Sequence, residues 1–221
     1  SNFCKSLKKD EQVVFMGPTG MPTHIHKNKK VLLMGGGLGN AVLFSIGQEL
    51  IKNNSNVLYF AGYKQHTDVF LRKYIENASN TVVWCSDDNT EIKKTRDHDL
   101  SFTGNILDCL KKYHHLSFTS EKYLKLNEIE GIILIGSDSM MSAVSRFINS
   151  NKKIFSNSNH CIASINSPMQ CMMKEICGQC LQEHFDSKTK IKSIIFSCAE
   201  QDQNFKTVNF DILKNRLSQN S

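Results

Sequence analysis

Cysteine is the residue with the clearest chemical pattern in this sequence. Three of the eight cysteines fall in the segment SPMQCMMKEICGQC, and a fourth follows later, which gives the spacing C-x5-C-x2-C-x17-C. Four thiolates form one complete coordination set for a metal. Structural zinc usually takes its ligands from two close pairs, whereas a plant-type iron-sulfur cluster uses C-x4-C-x2-C…C. The spacing favours a 2Fe-2S cluster, and it leaves zinc, disulfides and unliganded thiols open as alternatives. The candidate ligands are Cys171, Cys177, Cys180 and Cys198.

The other cysteines are expected to play no chemical role. Cys4, Cys85, Cys109 and Cys161 stand singly in or near apolar segments and are predicted to be small buried hydrophobic residues. The sequence contains no apolar run near the roughly 20 residues that cross a bilayer, and its start does not resemble a signal peptide. We therefore expect a cytoplasmic protein with no membrane partner, where clustered cysteines are more often metal ligands than disulfides.

Glycines form a second chemical pattern, in VLLMGGGLGNAVLFSIGQEL. An apolar strand, a glycine cluster and a helix that begins near Asn40 together make an anion site, because glycine lets the backbone approach a phosphate and the helix directs free N–H groups at it. The spacing is not G-x-G-x-x-G, and no acidic residue ends the next strand, YFAGYKQ. The pattern therefore predicts either a nucleotide site of another type or only a tight turn.

Two histidines, His24 and His26, would point to the same side of an extended segment. They are a candidate metal pair, but no third ligand lies close in the sequence, and exposed loop histidines are the simpler interpretation.

The charge pattern argues against nucleic acid. The formal net charge is +6 and the pI is near 8.8, but the lysines are scattered in doublets, which is typical of a solvated surface. An acidic protein partner explains the charge equally well.

Short apolar runs alternate with amphipathic ones between Val13 and Ile148. This alternation predicts an α/β fold with a mostly parallel five-stranded sheet and helices on both faces. The predicted strands are VVFMG, KVLLMG, NVLYFAG, TVVWCS and GIILIG, and the predicted helices span residues 40–52, 69–75, 105–113 and 139–147.

The sequence pattern changes after Asn149, where apolar periodicity ends and the cysteine segment follows. The predicted organisation is a truncated end of an upstream domain or a linker (residues 1–11), a nucleotide-binding domain (12–150) and a small cysteine-rich iron-sulfur domain (151–221). The last contains a predicted strand in KIKSIIFSC and a closing helix in NFDILKNRL, with Asn209 as its N-cap.

Several motifs occur in one order along the chain: GPTG at residues 17–20, GGGLGNAVL, AGYK, SDDN with TGNILDCL, IGSDSMMSAV, and the cysteine segment. In this order they resemble the electron-transfer subunit of dihydroorotate dehydrogenase and its relatives in the ferredoxin-NADP reductase superfamily. These relatives include sulfide dehydrogenase and the small subunit of ferredoxin-dependent transhydrogenase.

The resemblance implies an NAD(P)H oxidoreductase module that transfers electrons between NAD(P)H, FAD and a 2Fe-2S cluster, with the FAD mostly held by a missing β-barrel. It implies a partner, either an upstream flavin-binding domain or an oxidoreductase subunit of, for example, the glutamate-synthase type, and inactivity of this chain alone. The alternative is a non-catalytic interaction module of the same fold with zinc or unliganded cysteines. The implied cofactor-binding residues are Gly17, Thr19, Gly36, Gly37, Gly39, Asn40, Gly62, Gly136 and Met140.

Overall fold

The protein is described by a computed structural model that covers residues 2–15, 17–18, 20–165 and 171–218. Within these residues the strands and helices follow the chain in alternation. The strands are β1 (Lys30–Gly36), β2 (Asn56–Tyr63), β3 (Thr81–Ser86), β4 (Leu100–Thr103), β5 (Gly131–Ile135), β6 (His160–Ser164), β7 (Leu181–Phe185), β8 (Lys192–Phe196) and β9 (Asp202–Asn204). The helices are α1 (Asn2–Ser6), α2 (Asn40–Lys52), α3 (Arg72–Asn77), α4 (Ile106–Thr119), α5 (Asp138–Ser150) and α6 (Phe210–Ser218).

Seven strands form one sheet in the order β4-β3-β2-β1-β5-β6-β9. All neighbours pair in parallel except β9, which pairs antiparallel with β6. The mostly parallel α/β sheet is therefore confirmed, but the predicted number of five strands is wrong. β4 and β9 were not predicted because they are short, and β9 reads DQN, with no apolar residue. β6 is as long as β5, but it begins at His160 and ends at Ser164, so it forms no continuous apolar run.

The predicted first strand, VVFMG, is also wrong. Residues 13–15 and 17 lie outside any strand, and the side chains of Val14 and Phe15 are almost fully exposed. Met16 lies outside the described residues. An apolar run predicts a strand only if a neighbouring strand pairs with it, and in this chain none of the described strands does.

Helices cover both faces of the sheet, as predicted. Side chains alternate along each strand, so the two faces carry separate apolar cores. Leu33, Tyr59 and Trp84 pack on the side of α2 and α3. Phe60 and Leu134 pack on the other side, which α4, α5 and α6 cover.

The sheet changes its winding direction between β1 and β5. These two strands are neighbours, yet β1 leads into α2 on one face and β5 leads into α5 on the other. Open α/β sheets bind ligands in the crevice at the carboxyl ends of strands at such a switch point. We therefore expect a ligand to bind at the carboxyl ends of β1 and β5.

After residue 150 the chain contributes to two sheets. β6 and β9 extend the main sheet, whereas β7 and β8 form a separate antiparallel hairpin. The Asn209 side chain accepts a hydrogen bond from the Ile212 N–H at 3.2 Å, which agrees with its predicted capping of α6. The division of the chain into domains at residue 150 stays a prediction.

Candidate functional site

A cleft of about 840 Å³ opens at the carboxyl ends of the parallel strands. Its walls come from the segments that follow β1, β2, β3, β4 and β5, among them Gly37, Tyr63, Asn105 and Ser137. A cleft of this size matches the usual range for small-molecule and cofactor sites, about 300–1,000 Å³. It is therefore the candidate ligand site that the switch point predicts.

The glycines after β1 form a short 3-10 turn that runs directly into α2. Gly37 has a φ of +54° and open space where a Cβ would lie, so its backbone faces the cleft without obstruction. At Gly39 an added Cβ would lie 2.2 Å from the backbone oxygen of Ile135. Gly37 thus exposes the backbone to a ligand, and Gly39 lets the turn pack against β5.

Asn40 holds this turn in place from behind. Its side chain is fully buried, and its Nδ2 donates to the carbonyl oxygens of Gly37 at 3.0 Å and Gly62 at 3.4 Å. The Tyr59 hydroxyl donates to Asn40 Oδ1 at 3.3 Å. These bonds join the glycine turn to the end of β2, so the side chain of Asn40 positions the turn.

Met140 lies between the two loops of the switch point. A Cβ on Gly36 would come within 2.6 Å of its sulfur, and a Cβ on Gly136 within 2.8 Å. Both glycines therefore make room for the thioether, which lines the cleft. The Ser137 hydroxyl accepts a hydrogen bond from the Met140 N–H at 3.2 Å and caps α5 beside it.

The rim of the cleft carries one lysine and two carboxylates, and the sequence analysis missed the two carboxylates. Lys64, Asp68 and Asp87 all line it. Burial raises the pKa of Asp87 above its usual value, the nearby Asp108 raises it further, and Lys64 opposes this. Asp87 directly follows β3, and this position at a carboxyl strand end is the signal that could have identified it.

The predicted nucleotide residues fall into three groups. Gly36, Gly37, Gly62 and Met140 line the cleft. Gly39, Asn40 and Gly136 lie behind this lining and shape it through the contacts described above. Gly17 is exposed and is not part of the lining, and Thr19 lies outside the described residues.

The cysteine loop, residues 171–180, contains the second candidate site. Hydrogen bonds from the backbone N–H groups of Cys177, Ile176 and Lys174 lower the pKa of the Cys171 thiol to about 6. The loop is tightly wound, since its φ angles are positive at Met172, Met173, Glu175 and Gly178. Backbone donors that surround a sulfur in this way stabilise a thiolate.

The hairpin brings the remaining cysteines to the same place. Cys180 immediately precedes β7, Cys198 follows β8, and the antiparallel register pairs Leu181 with Phe196. Burial and the Cys180 side chain raise the pKa of Cys198, Cys171 raises it further, and the Glu175 N–H opposes this by donating to the sulfur. The thiols of Cys171 and Cys177 interact in turn. All four cysteines therefore lie close to one another.

These thiols are free. All eight cysteines are unpaired, so the disulfide alternative is not seen. Within residues 2–15, 17–18, 20–165 and 171–218, no group of three or more His, Cys, Asp or Glu side chains already has a geometry that could hold a metal ion. The loop offers the right donor atoms and backbone N–H groups for a cluster, and metal binding itself stays a prediction.

The four cysteines outside this set separate into two kinds. Cys85, Cys109 and Cys161 are buried, as predicted. Cys4 is exposed on α1, so its prediction as a buried hydrophobic residue is wrong.

Comparison with solved structures identifies the fold. One similar structure is that of an NADH-dependent reduced ferredoxin-NADP oxidoreductase, studied for flavin-based electron bifurcation. The match covers 99% of this chain and 68% of that protein, with a TM-score of 0.70 and 21% sequence identity. The chain has a fold like that of this ferredoxin-NADP oxidoreductase. A C-terminal domain of the PF1911 hydrogenase from Pyrococcus furiosus matches 61% of the chain and 93% of that domain, at 15% identity and a TM-score of 0.42, which is too low to support an argument.

Sequence comparison adds a relative without a known function. The chain is 30% identical over all of its 221 residues to the uncharacterized protein RP006 of Rickettsia prowazekii (strain Madrid E), and it spans only 22% of the length of that protein. No protein-family model matches the chain. Among the described helices, none has the length and apolar character needed to cross a membrane. The specific resemblance to the dihydroorotate dehydrogenase subunit stays a prediction.

Proposed function

We propose that this chain is the electron-transfer module of a flavin-dependent NAD(P)H oxidoreductase, with a nucleotide in the cleft and a 2Fe-2S cluster in the cysteine loop. One observation carries the proposal: the cleft and the thiols lie at the same edge of the sheet. Ile165, at the carboxyl end of β6, donates its N–H to the Gln201 oxygen at 2.8 Å, and Gln201 lies three residues beyond Cys198. β6 is two strands from β1, about 10 Å across the sheet.

The cofactors would divide the chemistry by electron number. A pyridine nucleotide gives two electrons together as a hydride, a 2Fe-2S cluster takes one at a time, and a flavin between them couples the two. The FAD would be held mostly by another domain or subunit, which we propose as the partner of this chain. A glutamate-synthase-like oxidoreductase is one candidate for this partner.

In this proposal the residues of the cleft bind and orient the nucleotide. The backbone at Gly37 is open to the cleft and would approach the phosphates, while Asn40 keeps the turn in position from behind. Met140 and the apolar wall of α5 would exclude water from the nicotinamide end.

The charges on the rim favour NADH over NADPH. Asp68 and Asp87 line the cleft and would accept hydrogen bonds from ribose hydroxyl groups, as acidic residues do in dinucleotide-binding folds. A 2′-phosphate would add negative charge beside these two carboxylates, with only Lys64 as the cation in the lining. Titration of both nucleotides should give tighter binding of NADH, and Asp87→Asn should reduce this preference. Tighter binding of NADPH would contradict the assignment.

In the cysteine loop, the ligands would be Cys171, Cys177, Cys180 and Cys198. The N–H groups that bond the Cys171 and Cys198 sulfurs would stabilise the negative charge of a bound cluster. Ile176 is 76% exposed and Met172 58% exposed, which gives this loop an apolar surface for a partner.

An anaerobic absorption spectrum tests the cluster directly. After reconstitution with iron and sulfide, we expect two irons and two acid-labile sulfides per chain, with visible bands that bleach with dithionite. Cys177→Ser should lose the cluster, whereas Cys161→Ser, at a buried cysteine outside the set, should keep it. A colourless protein, or one zinc and no iron, would contradict the proposal. It would favour the non-catalytic module instead, especially if neither NADH nor NADPH raised the melting temperature.

A further inference from the structure

Three histidines meet on the face of the sheet that α2 covers. They lie at the amino ends of the strands, whereas the cleft lies at the carboxyl ends. His24 and His26 belong to the extended segment before β1, and His160 begins β6, whose Ile162 packs in the core on that face. The ring centroids lie 4.6 Å apart for His24 and His26, 4.2 Å for His26 and His160, and 6.4 Å for His24 and His160. The fold thus supplies the third histidine that the sequence does not reveal. These three residues are called the histidine cluster.

The ring spacing lies near that of a metal centre without matching it. A zinc–nitrogen distance of about 2.0–2.1 Å and tetrahedral geometry set the centroids of two imidazole ligands about 5 Å apart. The three observed distances, 4.2, 4.6 and 6.4 Å, bracket this value. Imidazole is a ligand that suits zinc, copper and nickel.

The polar atoms around the cluster are unsatisfied. Among the described residues, the Nε2 atoms of His26 and His160 are buried and have no hydrogen-bond partner. Asp202 pairs with Ser164 at the other end of β6, so it lies outside the cluster, and only its charge acts on His160. Buried polar groups without partners are rare and are often explained by an ion or water. Here the unpaired atoms are all of types that ligate metals.

We propose that the histidine cluster is a binding site for one divalent transition-metal ion, of which zinc is the probe. In the part of the chain that the structure describes, no such set of side chains has converged as ligands, because the rings pack edge to face. Rotation about the side-chain torsions must therefore bring the nitrogens to a common point. His24 is exposed and gives the ion access from solvent. The ion would tie the segment before β1 to the start of β6.

Histidine ring nitrogen spectra of the full chain test the site without any substitution. Zn²⁺ is added beyond the amount that the thiols of the cysteine loop can bind, and it should then shift the ¹⁵N signals of the histidine cluster and leave those of His66, His98, His114, His115 and His184 unchanged. Unchanged signals of the histidine cluster would overturn the proposal.

Affinity measured by competition with a chromogenic chelator gives a second readout. The four cysteines of the cysteine loop are replaced by serine in every variant, so that thiols do not compete for zinc. In this background His160→Asn should weaken Zn²⁺ binding at least about tenfold. His115→Asn is the matched control, because the ring centroid of His115 lies 5.9 Å from that of His114 on α4, outside the histidine cluster. This variant should leave the Zn²⁺ affinity unchanged. Equal affinities in the two variants would overturn the proposal. If the serine background does not fold, the spectra of the unsubstituted chain decide.

Discussion

Replacement of Asn40 by alanine tests the role assigned to its side chain. In the native protein the side chain is fully buried and joins the glycine turn to the end of β2 through the carbonyl oxygens of Gly37 and Gly62. Alanine removes both donors and one of the two acceptors of the Tyr59 hydroxyl, Oδ1 at 3.3 Å, and it leaves the Asn40 backbone oxygen at 3.4 Å as the other. The substitution keeps the backbone of α2, so its effect reports on these hydrogen bonds and on the small cavity that remains.

The magnitude follows from the groups left without partners. A buried polar group that loses its hydrogen bond costs about 1–3 kcal/mol. The buried Gly62 carbonyl loses its side-chain donor, and the buried Tyr59 hydroxyl keeps only its longer bond to the Asn40 backbone oxygen, whereas the Gly37 carbonyl lies next to solvent. We therefore expect Asn40→Ala to lower the free energy of unfolding by about 2–3 kcal/mol. For a chain of this size, that loss lowers the melting temperature by about 4–12 °C.

Urea unfolding of both proteins provides the measurement, with the midpoint compared at an unchanged slope. Asn157→Ala is the control, because exposed Asn157 also donates one hydrogen bond from Nδ2 to a backbone oxygen, that of Asn127 at 2.8 Å. It should change the stability by less than about 0.5 kcal/mol. If Asn40→Ala were no worse than this control, the turn would not depend on Asn40. As a separate readout, NADH affinity should fall on the order of tenfold, equal to about 1.4 kcal/mol, because the turn is less ordered before binding.

Three further predictions concern the turn, a buried carboxylate and pH. Gly37→Ala should cost about 1–2 kcal/mol of unfolding free energy, because φ is +54° there, whereas Gly39→Ala should cost about 3 kcal/mol or more, since its Cβ would lie 2.2 Å from a backbone oxygen. Asp99→Ala should cost about 3–5 kcal/mol in urea unfolding, because this fully buried carboxylate accepts two hydrogen bonds from an arginine at 2.8 and 2.7 Å. Burial and neighbouring charges lower the pKa of His26 and His160 below the unfolded value of about 6.5. With a chelator present, the contribution of these two histidines to the free energy of unfolding therefore exists above about pH 6.5 and is lost as the pH falls below it. His160→Asn should flatten this decline.

Each of these has an outcome that would refute it. Equal stability of the Gly37 and Gly39 variants would show that the turn does not pack against β5 as described. A loss below about 1 kcal/mol for Asp99→Ala would mean that its arginine partner finds other acceptors or water. A pH profile that His160→Asn leaves unchanged would assign the acid sensitivity to other groups.

Secondary structure in the centre of the sheet follows from the sequence. Four strands are mostly apolar along their whole length, because parallel strands are buried on both faces. They are Lys30–Gly36, Asn56–Tyr63, Thr81–Ser86 and Gly131–Ile135. A helix from Asn40 to Lys52 was predicted with the bounds that the structure has. The edges of the sheet were not predicted, because short or polar strands depend on pairing with a neighbour rather than on their own composition.

The candidate sites divide in the same way. The glycine turn and three of the four clustered cysteines were visible in the sequence because each group comes from nearby residues on one loop. Asp87 at the cleft rim and His160 in the histidine cluster were not, because parallel topology brings together residues that are far apart in the chain.

By itself, the sequence determined which residue types were available and which segments form the buried strands. Backbone conformation at the glycines and apolar periodicity are local properties, so both can be predicted from the sequence. Only the tertiary structure decided that Asn40 points inward to hold the turn, that the hairpin brings Cys180 to Cys198, and that three histidines meet. The physical reason is that such contacts depend on strand order and register, which arise when distant segments bury their apolar faces together.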